Sequence, residues 1–289
     1  MRAWRATIIA LCAVIGVGSS ALVRAQGLPA EPRHDSGQGV TGAFEGWFKN
    51  QDGSFNLLFG YYNRNQKQDL EIPVGANNRI EPDGPDQGQP THFLPGRQWG
   101  VFTITVPADF GNKKLTWTLI SNGQTLSVPG SLNPLWEINA FREPTTENTP
   151  PVIKFAAGNS VQGPRPISTS LSATVAKPVA LAVSVSDDAK MPLIGTTGMD
   201  QPKTPPVTVT WSKFRGPGEV TFTNAKPEVA LGKAEGGAGG VSGTATTSAT
   251  FSEPGDYVLL VVANDWSGVG GHGYQCCWTN ALVKVSVKP

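Results

Sequence analysis

Apolar and polar residues alternate along most of the chain in short runs, which is the pattern of half-buried β-strands. In the first half, Phe55, Leu57, Phe59 and Tyr61 fall on one face of such a run. Further alternating runs lie at Trp99–Val106, Leu115–Leu119, Val179–Val185, Val207–Trp211, Thr250–Asp265 and Ala281–Val287. No run past residue 25 has the helical period of ~3.6 residues. The sequence therefore predicts an all-β fold.

Turn and loop signals divide these runs into two blocks. Asn122-Gly123, between two alternating runs, predicts a hairpin. Gly- and Pro-rich or Gly-, Ala- and Thr-rich stretches at 75–96 and 231–247 predict long loops. The polar, proline-bearing segment 142–151 has the composition of a linker. We expect one β-sandwich domain over residues 43–141 and a second over 152–289.

The N-terminal residues 1–25 are typical of a secretory signal peptide. Arg2 and Arg5 precede an apolar run at Ala6–Val17, and cleavage after Ala25 would leave Gln26 as the new N-terminus. Residues 26–42 are polar and aperiodic, which predicts a flexible leader. The expected location is secreted or periplasmic, with no membrane span left after signal cleavage.

Composition agrees with an exported β-protein. The 289 residues include 34 Gly and 24 Pro, and only 16% are charged. Removing the signal peptide takes away Arg2, Arg5 and Arg24 and no acid, so 23 basic and 22 acidic residues become 20 and 22, a net charge of −2. That balance provides no basic surface for nucleic acid. A protein or a polysaccharide at the cell surface is the expected partner.

The second block resembles a known family. The segment VTVTWSKFRGPGEVTF at 207–222, followed by ATFSEPGDYVLL at 249–260 and AND at 263–265, is similar to PKD-type domains, closest to the PKD-like repeat of egg-jelly-receptor type. The resemblance covers about residues 150–289. It implies an immunoglobulin-like sandwich, usually extracellular, that serves as a spacer or in protein and sugar contacts. In such a sandwich Trp211 would fill the core, and Tyr257 would form a tyrosine corner.

The segment GGHGYQCCWTN at 270–280 holds both cysteines of the expected mature chain, Cys276 and Cys277. Free thiols seldom persist in an oxidising compartment. Four interpretations remain open: a vicinal disulfide, which requires a distorted turn because adjacent Cα atoms are only ~3.8 Å apart; cysteines on opposite faces of a strand; pairing between chains; or a metal site that also uses His272.

Two groups of residues near this end of the second domain are candidate ligand contacts. Trp266, His272, Tyr274 and Trp278 could form an aromatic surface for sugar stacking or protein contact, or could instead cover the end of the core. Asp187, Asp188 and Asp265 end two strands that could meet, which is a possible calcium site. The alternative is that these three form solvated turns.

The sequence contains no recognisable catalytic arrangement. The three histidines, His34, His92 and His272, belong to no Ser-His-Asp or Cys-His pattern, and there is no phosphate loop. We therefore expect a non-catalytic secreted or periplasmic protein, without a cofactor apart from possible calcium, that acts in binding, adhesion or scaffolding at the cell surface. The alternatives are a carbohydrate-binding accessory protein and a redox or metal-binding protein that uses the Cys276–Cys277 loop.

Overall fold

A computed structural model describes residues 34–144, 146–156, 158–190, 205–233, 240–271 and 275–289. The fold is all-β, as predicted. The first block contains β1 (Val40–Lys49), β2 (Phe55–Asn63), β3 (Leu70–Glu71), β4 (Asn78–Glu81), β5 (His92–Phe93), β6 (Gly96–Val106), β7 (Lys114–Ser121) and β8 (Gln124–Ser131), followed by a 3-10 turn at Pro134–Trp136. The second contains β9 (Val152–Lys154), β10 (Ser160–Gln162), β11 (Pro164–Thr174), β12 (Val179–Asp187), β13 (Val207–Arg215), β14 (Val220–Phe222), β15 (Val229–Lys233), β16 (Val241–Phe251), β17 (Gly255–Asp265) and β18 (Trp278–Lys288).

Two three-stranded antiparallel sheets, β1-β2-β6 and β4-β7-β8, form the first block, with β3 and β5 paired as a separate ribbon. Aromatic side chains fill the space between the sheets. The rings of Phe59 and Phe102 stack at 5.5 Å, and Trp117 meets Phe102 edge-on at 5.1 Å. The fully buried Trp117 indole is held in place because its Nε1 donates to Asn78 Oδ1 at 3.0 Å.

The second block is a sandwich of two sheets with the strand order of an immunoglobulin domain. One sheet runs β10-β9-β12-β16-β14, with β15 also on β16, and the other runs β11-β18-β17-β13. The β11–β18 pair is parallel and its neighbours are antiparallel. Inward residues of both sheets, such as Val183, Trp211, Phe251 and Val261, form one apolar cluster.

The two core residues singled out in the second block occupy their expected places. Trp211 lies on β13 and is buried between the sheets. The Tyr257 hydroxyl donates to Glu253 O and accepts from Gly218 N–H, both at 3.0 Å. This bond to the backbone just upstream is the tyrosine-corner arrangement, and it joins two turns at the same end of the sandwich.

Both predicted long loops contain strands. Within 75–96, β4 and β5 pair with β7 and β3. Within 231–247, β16 begins at Val241 and pairs with three strands. The prediction was wrong for β16 because its inward residues, Ala245 and Ala249, are small and give no clear apolar alternation.

The predicted flexible leader is partly ordered. The signal peptide and residues 26–33 lie outside the described residues, but β1 already begins at Val40. Before it, Gln38 N–H donates to Asn65 Oδ1 at 2.7 Å, and Gln66 N–H donates to His34 O at 2.9 Å. The leader expectation is therefore wrong for residues 34–42. Within the described part of the chain, no helix has the length and apolar character to cross a membrane.

Candidate functional site at the domain junction

Residues 34–289 form one compact unit, and the two sandwiches meet along an apolar sheet face. Alternate residues of β17 fill the second core, while the residues between them point outward. Two side chains of the second sandwich, Phe214 and Leu260, belong to the apolar cluster of the first, and Val262 and Leu282 pack against it. The outer face of the β13-β17-β18 sheet is thus buried by the first sandwich instead of facing water.

A β-bulge at the end of β13 directs three consecutive residues toward the first sandwich. The register of β13 with β17 shifts between Lys213 and Arg215. Such a bulge re-aims side chains that would otherwise alternate. Lys213 Nζ donates to Glu71 Oε1 at 2.6 Å, and Phe214 O accepts from Thr91 N–H at 3.1 Å.

The third residue of the bulge makes the most extensive polar contact of the junction. Two guanidinium nitrogens of Arg215 donate to the two carboxylate oxygens of Asp86 at 3.0 and 2.8 Å. Its Nε also donates to Gln89 O at 2.7 Å. Hydrogen bonding from Arg215 holds the pKa of Asp86 below its ordinary value. Paired bonds of this kind fix both the distance and the orientation of the partners.

Lys213 extends into a chain of charged groups under the ribbon of β3 and β5. Glu71 Oε1 contacts both Lys213 Nζ and His92 Nδ1, the latter at 2.7 Å, and His92 Nε2 lies 3.4 Å from Asp69. Partial burial alone would raise the pKa of Glu71, but hydrogen bonds from His92 and Lys213 outweigh it, so that the pKa is lowered. The carboxylate is therefore ionised at neutral pH and can hold the buried ammonium.

A second polar group lies where the Cys276–Cys277 loop meets β6. Glu45 is buried and accepts from Arg97 at 2.6 Å and from Gln275 Nε2 at 3.1 Å. The Arg97 guanidinium covers the Trp99 ring, 4.0 Å from its centroid. On the other side of the junction, a Cβ on Gly270 would lie 2.9 Å from Trp99. Only glycine fits this close approach.

Trp278 is enclosed by the same contact. A Cβ on Gly100, whose φ is +47°, would lie 2.4 Å from Trp278 Cζ2. Asn280, which lies on β18 with Trp278, donates from its Nδ2 to Gly100 O. The Trp278 side chain is therefore only 2% exposed. The ring therefore has no open face for sugar stacking, because the first sandwich covers it, and a ligand-contact role for Trp278 stays a prediction.

The other aromatic candidates do not form an exposed platform either. Trp266 is half-buried, and its Nε1 donates to Lys190 O at 2.6 Å. His272 and Tyr274 lie outside the described residues. The exposed large apolar side chains among the described residues include Leu135 and Trp136, which belong to the first sandwich.

Cys276 and Cys277 are joined through their sulfur atoms, 2.08 Å apart, with both residues 1% exposed. The φ of Cys277 is +144°, so the turn is a distorted one. Cys277 Sγ lies 3.6 Å from Asn148 O of the linker. The pair is thus an internal packing element between the loop and the linker. A redox or metal function would require it to open, because neither sulfur faces solvent.

The three aspartates meet at one end of the second sandwich, and the linker is bound to them. Asn148 Nδ2 donates to Asp265 Oδ2, and Thr149 donates through its N–H and its hydroxyl to Asp188 Oδ2 at 3.2 and 2.9 Å. Asp187 Oδ2 accepts from Ala189 N–H at 2.8 Å, while its buried Oδ1 has no hydrogen-bond partner.

Two of these carboxylates, Asp187 and Asp265, have raised pKa values. Burial is the main cause for Asp187, with repulsion from Asp265 and Asp188 adding to it, and raises its pKa to about 7. Burial also raises the pKa of Asp265, although hydrogen bonds from Ser267 and Asn148 oppose the shift. Among the described residues, no three His, Cys, Asp or Glu side chains converge in a metal-holding arrangement. Calcium at Asp187, Asp188 and Asp265 remains a prediction.

A cleft of about 310 Å³ opens between the two sandwiches beside these contacts. Cationic and polar residues along it are Arg97, Lys213, Lys226, His92, Gln98, Thr210, Ser212 and Asn264. Aromatic and aliphatic walls are provided by Tyr61, Trp99, Trp278, Val101, Leu260 and Val262, among others. None of the described residues that line it is Asp or Glu. Clefts of this volume between domains are common ligand sites.

The sequence interpretation missed this junction, although one signal was present. Val258, Leu260 and Val262 alternate with Tyr257, Leu259 and Val261, so β17 is apolar on both faces. A continuous apolar strand indicates burial on both sides. The separate roles of Arg97, Lys213 and Arg215 had no comparable signal, because their partners are distant in sequence.

No protein-family model matches this chain, and the comparison with curated proteins found no match. Among solved structures, the chain is similar to a protein of unknown function from Porphyromonas gingivalis W83, with 8% identity and a TM-score of 0.23 over 86% of this chain and 99% of that chain. It is also similar to domains 4 and 5 of the S-layer protein SbsC, with 10% identity and a TM-score of 0.22 over 86% and 98%. Similarity this low carries no argument about function, which must be inferred from the residues of the chain itself.

Proposed function

We propose that this protein is an exported, non-catalytic two-domain module that acts in binding, adhesion or scaffolding at the cell surface. The observation that carries the proposal is the junction: an apolar sheet face, a bidentate Arg215–Asp86 pair and a buried Lys213 hold the two sandwiches in one orientation. A fixed relation between two domains suits a protein that presents a surface or spans a distance. Fold alone does not identify a function.

The linker adds to this rigidity. The segment 142–151 has the composition of a linker, and its Asn148 and Thr149 are bonded to aspartates of the second sandwich. Thr279 also donates from its hydroxyl to Pro151 O. A linker bound along its length transmits the orientation of one domain to the other, whereas a free linker would uncouple them.

Two features support the exported location and the PKD-like identity of the second sandwich. The Cys276–Cys277 bond suits an oxidising compartment, where a buried disulfide persists. Trp211 in the core and the Tyr257 corner, on an immunoglobulin strand order, are what the PKD-like resemblance implies. Domains of that type usually act as extracellular spacers or contact modules, in agreement with the proposal.

Export is tested by expressing the full chain in its own host and separating the cell fractions. We expect the protein outside the cytoplasm, with an intact mass that begins at Gln26. The matched control replaces Leu11, inside the apolar run, with Arg, which should leave the precursor uncleaved in the cytoplasm. Cytoplasmic accumulation of the unaltered chain at its full precursor mass would contradict the proposal.

Binding at the surface is tested separately, by cross-linking in intact cells followed by mass spectrometry. We expect the module to be cross-linked reproducibly to an envelope protein or polysaccharide. An Arg215→Ala, Asp86→Ala double variant, which should loosen the junction, is the comparison. Recovery of the uncross-linked monomer alone, from cells in which export succeeded, would argue against a binding or scaffold role.

The carbohydrate-binding alternative is favoured by a different site from the one first expected. The aromatic loop residues do not provide an open ring face, since Trp278 is buried and Trp266 is half-buried. The cleft between the sandwiches combines aromatic walls with polar side chains, which is the composition of a small-molecule site.

A further inference from the structure

We propose that the cleft between the two sandwiches binds a small hydroxylated carboxylate, such as an acidic sugar. This inference deepens the proposed function, because it names the ligand class of a binding module. It depends on three independent features of the cleft: the charge of its lining, the unused hydrogen-bonding groups along its walls, and its position between two domains.

Among the described residues that line the cleft, the charged ones are all basic. Lys213 is only 6% exposed, and its ammonium has one acceptor, Glu71 Oε1, among the described residues. Since an ammonium has three donors, two remain. Lys226 lies at the mouth of the cleft and is exposed, and it pairs with no carboxylate of the described residues. A buried ammonium with free donors favours an anionic ligand.

The neutral lining favours a ligand with hydroxyl groups. The hydroxyls of Thr210 and Ser212 and the amide of Asn264 line the cleft and make no side-chain hydrogen bond to another described residue. All three lie on the outward face of β13 and β17, where register pairs Thr210 with Val262 and Ser212 with Leu260. Polar groups on an otherwise apolar sheet face need partners when water is displaced, and a polyhydroxylated ligand would provide them.

A carboxylate, with a single negative charge, is a better match than a doubly charged phosphate because Arg97 and Lys213 already have carboxylate partners, Glu45 and Glu71. Arg97 donates to Glu45, to Tyr61 O and to Gln98 O, and its plane lies on Trp99. Among the described lining residues, Lys226 has no carboxylate partner, and Lys213 keeps two donors beyond its bond to Glu71. A carboxylate would pair with these ammoniums while the rest of the ligand contacts the apolar wall of Val101, Leu260 and Val262.

Isothermal titration calorimetry on the purified mature chain tests the proposal with three probes. We expect D-glucuronate to bind and D-glucose, which lacks the carboxylate, not to bind. Succinate distinguishes two kinds of carboxylate ligand. If succinate binds as tightly as glucuronate, the ligand class is an aliphatic acid. If succinate binds more weakly, the ligand class is an acidic sugar. Absence of binding for both acids would overturn the proposal, and it would leave the location and cross-linking tests of the proposed function unaffected.

Three variants assign the binding to the cleft. Lys213→Met should weaken the affinity for the acid by about tenfold or more, because the substitution removes a hydrogen-bonded charge from a buried position. Lys226→Gln, at the exposed mouth, should weaken it by about two- to fivefold and should fold normally. Lys284→Gln, an exposed lysine outside the cleft, is the matched control. If Lys226→Gln and Lys284→Gln change binding equally, the cleft is excluded as the binding site. This comparison holds even if Lys213→Met fails to fold.

Discussion

Replacing Asp187 with Asn should stabilise the protein near neutral pH and reduce the pH dependence of its stability. The Asp187 carboxyl is 7% exposed, and one of its oxygens has no hydrogen-bond partner. Burial, and then repulsion from Asp265 and Asp188, raises its pKa to about 7 from 3.8. Asn keeps an oxygen that can accept from Ala189 N–H but never ionises.

The sign follows from proton binding in the two states. Between about pH 4 and 7, the unfolded carboxyl is ionised while the folded one keeps its proton, so the folded state binds more protons and stability falls as pH rises. A pKa difference of about 3 units corresponds to about 4 kcal/mol. Because Lys190 approaches Asp188 at 3.6 Å and the turn can relax, we expect a loss of roughly 2 kcal/mol.

Urea unfolding at a series of pH values measures this directly. The free energy of unfolding of Asp187→Asn should exceed that of the unaltered chain by an amount that grows from about pH 4 to about pH 8. Asp256→Asn, which alters an exposed carboxyl on β17, is the matched control and should show no such growth. Parallel curves for the unaltered chain and Asp187→Asn would refute the reasoning.

The same unfolding experiment, repeated with added calcium, tests the predicted calcium site. If the ion binds Asp187, Asp188 and Asp265, it favours their ionised forms and stabilises the folded state. In millimolar CaCl₂ near pH 7 the unaltered chain would then be the more stable of the two, and EDTA would restore the opposite order. Unchanged stability on adding CaCl₂ or EDTA would exclude a calcium site at these carboxylates.

Three further substitutions test the packing. Tyr257→Phe removes a hydroxyl that makes two backbone hydrogen bonds, and urea unfolding should show that the free energy of unfolding falls by roughly 1–3 kcal/mol. An unchanged midpoint would exclude the corner as a stabilising element. Gly100→Ala, with its Cβ 2.4 Å from the Trp278 ring, should lower the stability by about 1–3 kcal/mol and expose Trp278 to a fluorescence quencher, whereas unaltered quenching would contradict the close contact. Secreted protein kept without reductant should be lighter than its reduced form by about two hydrogen atoms, and Cys277→Ser should abolish the difference; free thiols in the unaltered chain would contradict the internal bond.

The sequence was most informative where one face of a strand is buried. In β13, Val207, Val209 and Trp211 alternate with polar residues, so the strand and the buried Trp211 could be predicted. The Tyr257 corner could be predicted because the tyrosine opens β17 directly after Pro-Gly-Asp. β16 could not, because its inward positions are filled by Ala245 and Ala249, and small side chains leave no apolar period. Alternation reports side-chain size as well as burial, so a strand that packs through alanine resembles a loop.

The candidate site was less predictable, because its parts are distant in sequence. The aspartates were expected at one end of the sandwich since two strands end there, and they do meet. That the linker would bind them depends on Asn148, which nothing in the local pattern distinguishes. For a related reason, local sequence could not show that the first sandwich lies over the Trp278 ring.

At the junction, apolar contacts hold the two sandwiches together, and polar contacts fix their orientation. Burial of Leu260, Val262 and Leu282 drives association, but apolar contact has no preferred direction. Ion pairs add little net stability once desolvation is included, yet the paired bonds between Arg215 and Asp86 permit only one arrangement.

The cleft lies beside those orienting groups, and Lys213 both anchors the junction through Glu71 and lines the cleft. A ligand bound there would therefore contact both sandwiches and favour the docked arrangement over any in which they separate. By linkage, it should raise the free energy of unfolding by an amount that grows with the logarithm of the ligand concentration above its Kd. Any change that loosens the junction should also weaken ligand binding, even when no lining residue is altered.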